Sequence, residues 1–373
     1  MHTLTHPRTV HPPDIGPDFA APELPRAEAP QTVEVAGNQL TVFVESPPLF
    51  QAMLRDIQNA TSRVWVEVYI FFNDKGGTEI AEALKARARE GLDVRVLYDA
   101  VGSNSTPGGF FEEMMAAGVK VHAFHSLLEG LWKFRLLSVL NRRNHRKLMV
   151  IDDSIGYFGG MNIIDNVENV QEQKSQNRPT SSGWRDVHIR LQGPQQSDLA
   201  ESFDRSWRRA HGENVKRRPR AYRRALHLNG VSHDPRHHVP ESIRFFDSGP
   251  GPKFSRAARV FARLIRHAQF QVLISMAYFI PTGQTLRALL AARKRGVRVR
   301  VVVPGQSDVR IVQRATSSLY DKMIRRGFRI YERRQQMLHS KTMVIDDLYT
   351  VVGSCNLDPR SLYINLEFLA VIR

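Results

Sequence analysis

Two nine-residue stretches of the 373-residue chain repeat the same chemistry: HRKLMVIDD at 145–153 and HSKTMVIDD at 339–347. Side chains alternate faces along a strand, so His145 and Lys147 share one face, as do His339 and Lys341. Two such pairs around one point would suit a phosphodiester. The lysines would neutralise its non-bridging oxygens, one imidazole would attack phosphorus, and the other would protonate the leaving oxygen. Because lysine supplies the positive charge, the pattern predicts that neither a metal ion nor a cofactor is needed.

Each motif continues into an apolar run that ends in an Asp-Asp pair. Asp152 and Asp346 follow their histidines by seven residues. Strict alternation places them on the opposite face from those histidines. We therefore expect them to fix a turn and its polar network, and we count them among the candidate catalytic residues as members of the motif. Downstream, GGMN and GSCN let the backbone approach a ligand, and Asn162 and Asn356 can donate through their side-chain amides.

The elements that must position these residues also occur twice. In the first half, regular structure is expected to begin near 38–46, followed by a helix at 48–60, a strand at 63–72, a helix at 78–91 and a strand at 92–99. The same order returns at 253–305. This alternation favours an α/β fold with parallel strands. A duplicated chain can place two related halves across a pseudo-twofold axis, with one active site between them.

The duplication predicts four segments: a flexible N-terminal arm at 1–35, a first half at 36–211, a basic connector at 212–239 and a second half at 240–373. The arm is rich in Pro, Ala and Glu and lacks hydrophobic periodicity. Gly118 corresponds to Gly327 and His145 to His339, and these spacings leave 15 additional residues in the first half just before its histidine.

Composition restricts the kind of partner. Lys and Arg number 53 against 37 Asp and Glu, which gives a net charge of +16. Such an excess points to a nucleic acid, an anionic membrane surface or a phosphorylated substrate. A single cysteine, Cys355, excludes an internal disulfide framework. We expect neither a signal peptide nor a spanning helix, so membrane contact would be peripheral.

The motif H-x-K-x4-D, present twice and followed by Gly-Gly-x-Asn and Gly-Ser-x-Asn, resembles the phospholipase D superfamily. The resemblance covers about residues 38–373. Within that superfamily, YIFFNDKGGTEIAEALKARAREGLDVRVLYDAVGS and SCNLDPRSLYINLEF are most similar to bacterial cardiolipin synthases.

The resemblance implies two phospholipase D-type halves and a two-step transfer through a phosphohistidine. It implies that His145 is the nucleophile and His339 the general acid and base. It also implies acidic residues that orient the histidines. By position these are Asp186 in GWRDVHIRLQGP and Glu367 in NLEFLAVI, although the sequence does not say which acid serves which histidine.

Two departures from the family bear on location and chain length. Cardiolipin synthases often carry N-terminal spanning helices, and this sequence has none. The resemblance therefore implies a peripheral enzyme in the cytoplasm, on the inner face of the cell membrane. The sequence stops at Arg373, inside the strand predicted around Glu367, whereas family members usually continue further, so we expect either a truncated or a naturally shortened chain.

The additional residues before His145 contain LLEGLWKFRLLSVL at 127–140, followed by a basic cluster. Leu131, Trp132, Phe134 and Leu136 would lie on the apolar face of an interfacial helix that contacts anionic lipid. The alternative is a helix packed in the core.

Together these features predict a phosphatidyltransferase that makes cardiolipin and glycerol from two phosphatidylglycerol molecules. One alternative is a phospholipase D that uses water as the acceptor and releases phosphatidic acid. A second is a nuclease of the same superfamily, and a third is an inactive basic binding module. The intact motifs argue against the binding module, and the apolar insertion argues against a nucleic acid partner.

Overall fold

A computed structural model describes residues 29–124, 142–165, 184–213, 241–251, 255–334 and 336–373. In this part of the chain the first half contains, in order, β1 (Gln31–Val35), β2 (Asn38–Phe43), α1 (Ser46–Gln58), β3 (Arg63–Val68), α2 (Lys75–Arg89), β4 (Asp93–Asp99), α3 (Gly108–Ala116), β5 (Lys120–Phe124), β6 (Leu148–Ile151), β7 (Ile155–Gly159), β8 (His188–Gln192) and α4 (Gln196–Ala210).

The second half contains β9 (Ile243–Ser248), α5 (Arg256–His267), β10 (Gln271–Met276), α6 (Gly283–Lys294), β11 (Arg298–Pro304), α7 (Arg310–Ser317), α8 (Tyr320–Ile324), β12 (Arg329–Arg333), β13 (Lys341–Ile345), β14 (Tyr349–Gly353), α9 (Pro359–Tyr363) and β15 (Glu367–Ile372).

The two halves form separate sheets with the same strand order. The first sheet runs β1-β2-β8-β7-β6-β3-β4-β5 and the second runs β12-β11-β10-β13-β14-β15-β9. Read from β9, the second sheet repeats the first apart from β1, which is an additional edge strand. The α/β class and the two-half architecture predicted from the sequence are therefore confirmed.

The parallel arrangement holds for only part of each sheet. Strands β3, β4 and β5 are parallel, as are β10, β11 and β12, and the other pairs are antiparallel. The tight Asp-Asp turns explain the difference. A connection of a few residues can join only antiparallel neighbours, so β6 must reverse direction into β7 and β13 into β14.

The N-terminal boundary also differs from the prediction. Strand β1 begins at Gln31, inside the range assigned to the arm, and pairs with β2 in an antiparallel hairpin. Ala36 and Gly37 form its two-residue turn with φ values of +51° and +73°. Positive φ at both positions is typical of a type I′ turn, which matches the twist of a hairpin. Residues 1–28 and 214–240, and with them most of the predicted arm and connector, lie outside the described residues.

Apolar packing joins the two halves. Helices α1 to α3 cover one face of the first sheet, and its other face meets the second sheet. At that contact the ring of Phe158 lies 5.2 Å from Phe245 and 6.1 Å from Phe368. Because burying large apolar side chains is the main favourable term in folding, this shared cluster fixes how the halves face each other.

Helix α4 covers part of the same face, where Phe203 stacks on Trp65 with centroids 5.2 Å apart. At equivalent positions of the second sheet, Leu273, Val302 and Tyr331 line a groove of about 290 Å³. No described helix is long and apolar enough to cross a membrane.

Candidate active site

Both motif histidines lie where the halves meet, and backbone hydrogen bonds fix them there. The His145 N–H donates to the Leu366 carbonyl at 2.9 Å, and the His339 N–H donates to the Arg185 carbonyl at 2.7 Å. Leu366 and Arg185 directly precede Glu367 and Asp186 in the chain. Each histidine is therefore held against the segment that carries the candidate acid of the other half.

The first histidine contacts Glu367. His145 Nδ1 lies 3.2 Å from Glu367 Oε2 and 3.1 Å from the Ser354 carbonyl oxygen. The Ser354 hydroxyl also donates to Glu367. Burial lowers the pKa of His145, Lys147 lowers it further, and Glu367 opposes both. A neutral ring whose Nδ1–H donates to the carboxylate keeps its lone pair on Nε2, as a nucleophile requires.

The second histidine contacts Asp186 at a shorter distance. His339 Nδ1 lies 2.7 Å from Asp186 Oδ2, and Lys341 Nζ lies 3.2 Å from the same oxygen. The Nδ1 atom of His339 carries the proton that it donates to Asp186, so it cannot also accept a hydrogen bond from Lys341. The Lys341 ammonium therefore donates to Asp186 and to the His339 carbonyl oxygen. Burial and Lys341 lower the pKa of His339. Burial alone would raise the pKa of Asp186, but Lys341 and His339 outweigh it and lower that pKa.

The pairing left open by the sequence is thus crossed between the halves. Asp186 of the first half contacts His339 of the second, and Glu367 of the second half contacts His145 of the first. The partners are 153 and 222 residues apart in sequence. Neither histidine has its carboxylate partner until the halves have packed together.

The two lysines complete a positively charged site. Lys147 donates to the His145 carbonyl at 2.8 Å, and its Nζ lies 5.2 Å from the centre of the Tyr69 ring. Burial lowers the pKa of Lys147 to about 7 and also lowers that of Lys341. Lys341 of the second half helps to lower the pKa of both His145 and Lys147 of the first half, so the two sides of the site are electrostatically coupled. An anionic ligand between them would favour their charged forms.

The two asparagines occupy equivalent places. Asn162 Oδ1 accepts from the Ile70 N–H, and Asn356 Oδ1 accepts from the Tyr278 N–H, both at 3.2 Å. Since the amide oxygens are used in this way, each side chain has its NH₂ group left to donate to a ligand. Both residues are buried beside their motif strands.

The structure separates the motif aspartates from this site. The Asp152 carboxylate accepts from backbone N–H groups of residues 61–63, and Asp346 does the same for residues 269–271. Both have positive φ, +49° and +53°. They follow β6 and β13, roughly 20 Å along the strand from their histidines. Counting them as catalytic was therefore wrong, because the strand carries them to its other end, where they hold the turn as their alternation predicted.

Three aromatic side chains beside the histidines were not predicted. The ring of Tyr69 lies 4.9 Å from that of His145, and the ring of Trp184 lies 5.0 Å from that of His339. Tyr278 meets His339 edge-on at 6.4 Å. Tyr69 and Tyr278 come just after the buried strands β3 and β10, and that position was the available signal for them. Trp184 lies two residues before Asp186 and gave no such signal.

A third histidine near the site was also missed. His188 is buried at 2% exposure, and neither ring nitrogen has a hydrogen-bond partner among the described residues. Gly159 pairs with it across β7 and β8, and a side chain at Gly159 would meet the His188 ring at 2.9 Å. Burial lowers the pKa of His188 to about 3, so the ring is neutral.

Two predictions from the sequence, lipid contact by the apolar segment and the lack of a metal site, concern regions that the structure describes only in part or not at all. The proposed lipid-contact residues Leu131, Trp132, Phe134 and Leu136 lie outside the described residues. Within the described ranges, no group of three or more His, Cys, Asp or Glu side chains is arranged to hold a metal ion.

The geometry can be compared with known proteins. A family model described as the PLD-like domain of cardiolipin synthase matches residues 53–173 and 261–373. Cardiolipin synthase A of Pseudomonas putida is 33% identical over 333 residues, which cover 89% of this chain and 64% of that protein. The major cardiolipin synthase of Bacillus subtilis is 32% identical over 337 residues, which cover 90% of this chain and 65% of that protein. The chain thus spans about 65% of the length of these relatives.

Among solved structures, the phosphatidylserine synthase of Haemophilus influenzae superimposes with a TM-score of 0.65 at 19% identity. The match covers 89% of this chain and 82% of that one. At this identity the similarity shows a common fold.

Proposed function

Because this chain belongs to the phospholipase D superfamily, within its cardiolipin synthase-like branch, we propose that it is a phosphatidyltransferase that makes cardiolipin from two phosphatidylglycerol molecules. One observation carries the proposal. Each motif histidine is bonded through Nδ1 to a carboxylate of the other half, so both Nε2 atoms are left for chemistry. Two such imidazoles with two lysines suit the displacement of an alcohol from a phosphodiester.

In the first step His145 Nε2 attacks the phosphorus of the donor lipid. The bond from phosphorus to the glycerol oxygen breaks, and His339 gives that oxygen a proton, so glycerol leaves. Glu367 accepts from His145 Nδ1–H and stabilises the positive charge that the ring gains on attack. Lys147 and Lys341 neutralise the non-bridging oxygens, and Asn162 and Asn356 donate to them.

In the second step a hydroxyl group of another phosphatidylglycerol attacks the phosphohistidine. His339 takes its proton, the bond between phosphorus and nitrogen breaks, and cardiolipin is formed. Asp186 supports both roles, because it holds the ring by Nδ1 and stabilises the imidazolium form at 2.7 Å. Assigning His145 as nucleophile rests on the family resemblance, since both histidines have the same kind of partner.

The proposal includes an anionic lipid substrate and peripheral contact with the inner face of the cell membrane. The net charge of +16 and the apolar segment at 127–140 support lipid contact. No metal ion is assigned a role, because the lysines supply the positive charge.

Incubation with labelled phosphatidylglycerol in mixed micelles tests the reaction. We expect cardiolipin and glycerol from the wild-type chain and neither product from His145→Ala. His211→Ala, at an exposed histidine outside the site, is the matched control and should behave as wild type. Phosphatidic acid as the only lipid product would indicate hydrolysis. DNA cleavage without lipid turnover would contradict both lipid reactions.

A further inference from the structure

The His339 side of the site carries a pair of polar groups that the mechanism above does not use. Tyr278 Oη donates a 2.7 Å hydrogen bond to Asp308 Oδ2. Asp308 follows β11 on an exposed loop, where the Ser307 hydroxyl donates to Oδ1 at 3.2 Å. A carboxylate has about four lone-pair sites, so Asp308 can still accept from a ligand.

This pair is connected to the catalytic groups. The Tyr278 N–H donates to Asn356, and the Tyr278 ring lies edge-on to His339 with centroids 6.4 Å apart. Burial and Lys341 lower the pKa of His339, and Asp308 acts in the opposite direction, which places its carboxylate within electrostatic reach of that ring. Burial and Asp308 raise the pKa of Tyr278, so its hydroxyl stays protonated.

The first half offers no such pair at the equivalent position. Its asparagine, Asn162, holds the backbone N–H of Ile70, where Asn356 holds that of Tyr278. The side of His145 therefore has an aliphatic residue at the place where the side of His339 has a tyrosine bound to a carboxylate. The difference lies on the side where the second substrate must give up its proton.

We propose that Tyr278 and Asp308 form the acceptor subsite, which binds a second hydroxyl of a polyol such as a glycerol headgroup. This inference rests on the proposed function and names its acceptor class. The attacking hydroxyl loses its proton to His339 Nε2 while its oxygen forms the new bond to phosphorus and the bond to His145 breaks. A neighbouring hydroxyl of the same molecule donates to Asp308. Water and simple alcohols have no second hydroxyl for this contact, so the subsite favours transfer over hydrolysis.

Product partitioning tests the subsite. Phosphatidylglycerol is turned over in mixed micelles with added isotopically labelled glycerol or labelled propan-1-ol, so that the transfer product carries the acceptor's label and differs from unreacted donor. Transfer and hydrolysis products are counted for wild type, Asp308→Asn and Tyr278→Phe. A hydrogen bond to a charged group corresponds to roughly a tenfold to hundredfold effect. We expect the glycerol-to-propanol preference and the transfer-to-hydrolysis ratio to fall by about tenfold or more in Asp308→Asn, and by less in Tyr278→Phe.

The second half supplies a matched control. Tyr320 Oη donates to Glu332 at 3.0 Å, also an exposed tyrosine–carboxylate pair, so Tyr320→Phe should leave both ratios unchanged. Equal losses of transfer and hydrolysis in Asp308→Asn, or unchanged ratios, would overturn the subsite while leaving the phosphatidyltransferase reaction intact. Wild-type protein that transfers to no alcohol would instead refute the proposed function and this inference with it. Tyr278→Phe keeps the ring and its packing, so it decides the matter if Asp308→Asn does not fold.

Discussion

Replacing Arg146 with methionine tests how the two halves are held together behind the active site. Arg146 stands between His145 and Lys147, points to the opposite face and is 2% exposed. Its guanidinium lies 3.4 Å from Glu67 and 3.3 Å from Asp247 of the second half. It also donates to the hydroxyls of Ser202 and Ser206, each at 2.5 Å.

The size of the effect follows from what the change leaves behind. Asp247 keeps Arg205 at 2.6 Å, but Glu67, which is fully buried, loses its only described ionic partner. Burial already raises the pKa of Glu67, so without Arg146 it would take up a proton. Protonating a carboxyl whose ordinary pKa is 4.5 costs about 3.4 kcal/mol at pH 7 and about 0.7 kcal/mol at pH 5. Breaking a buried ion pair typically costs about 3–5 kcal/mol, which agrees with the value at pH 7.

We therefore expect Arg146→Met to lower the free energy of unfolding by about 3 kcal/mol at pH 7 and by about 1 kcal/mol at pH 5. The sign follows because the folded variant holds a proton on Glu67 that the unfolded chain releases above pH 4.5, so its stability falls as pH rises. Urea unfolding at both pH values, followed by circular dichroism, measures the difference from wild type.

Two further variants make the result specific. Glu67→Gln combined with Arg146→Met removes both charges and should recover most of the lost stability. The equivalent positions of the second half carry Ser275 and Ser340, whose hydroxyls bond each other at 2.9 Å, so that half contains no charge pair there. Arg208→Met, which breaks an exposed pair with Glu213, should change stability little at either pH.

The reasoning fails if Arg146→Met lowers the free energy of unfolding by less than about 1 kcal/mol at pH 7, because leaving a buried carboxylate unpaired should destabilise the fold by more than that. It also fails if the loss is the same at pH 5 and pH 7, because the cost would then not come from protonating Glu67.

Four other predictions follow from the site. His188→Leu copies Leu369 at the equivalent position. As pH falls from 6.5 towards 3, this variant should gain stability relative to wild type by up to about 1.4 kcal/mol per pH unit, because in that range only the unfolded wild-type ring takes up a proton. Unfolding curves of the two proteins that shift in parallel with pH would contradict this. With a donor whose leaving group needs no protonation, His339→Ala should accumulate a phosphohistidine and His145→Ala should form none; label mapped to His339 would reverse the roles. The value of kcat/KM should fall as pH rises through the pKa of Lys147, about 7, because the neutral amine no longer binds phosphate; a rate that stays constant to pH 9 would refute this. Activity should survive EDTA, and its loss with recovery by one specific divalent ion would show a metal requirement.

Patterns within short stretches of the sequence were enough to predict helices and strands and the internal duplication. Helix α1 was predicted at 48–60 from the spacing of its apolar residues, and the structure has it at Ser46–Gln58. Gly118 and Gly327, matched by sequence, both end helical segments with positive φ, +94° and +82°. Side-chain alternation also put Asp152 and Asp346 in turns, away from the histidines. These properties depend on neighbours within a few residues, so the sequence determines them directly.

What the sequence could not decide depends on contacts between distant segments. Asp186 and Glu367 were selected by resemblance, but only the packing of Phe158 against Phe245 and Phe368 decides that each acid crosses to the other half. The mixed strand directions likewise follow from which strands become neighbours in the sheet. His188 in β8 and Arg146 just before β6 gave no signal, because a single polar residue looks like a surface position until distant segments of the chain bury it. The sequence therefore determined the two His–Lys pairs, and the packing of two similar sheets determined the carboxylate partners that bring them into one site.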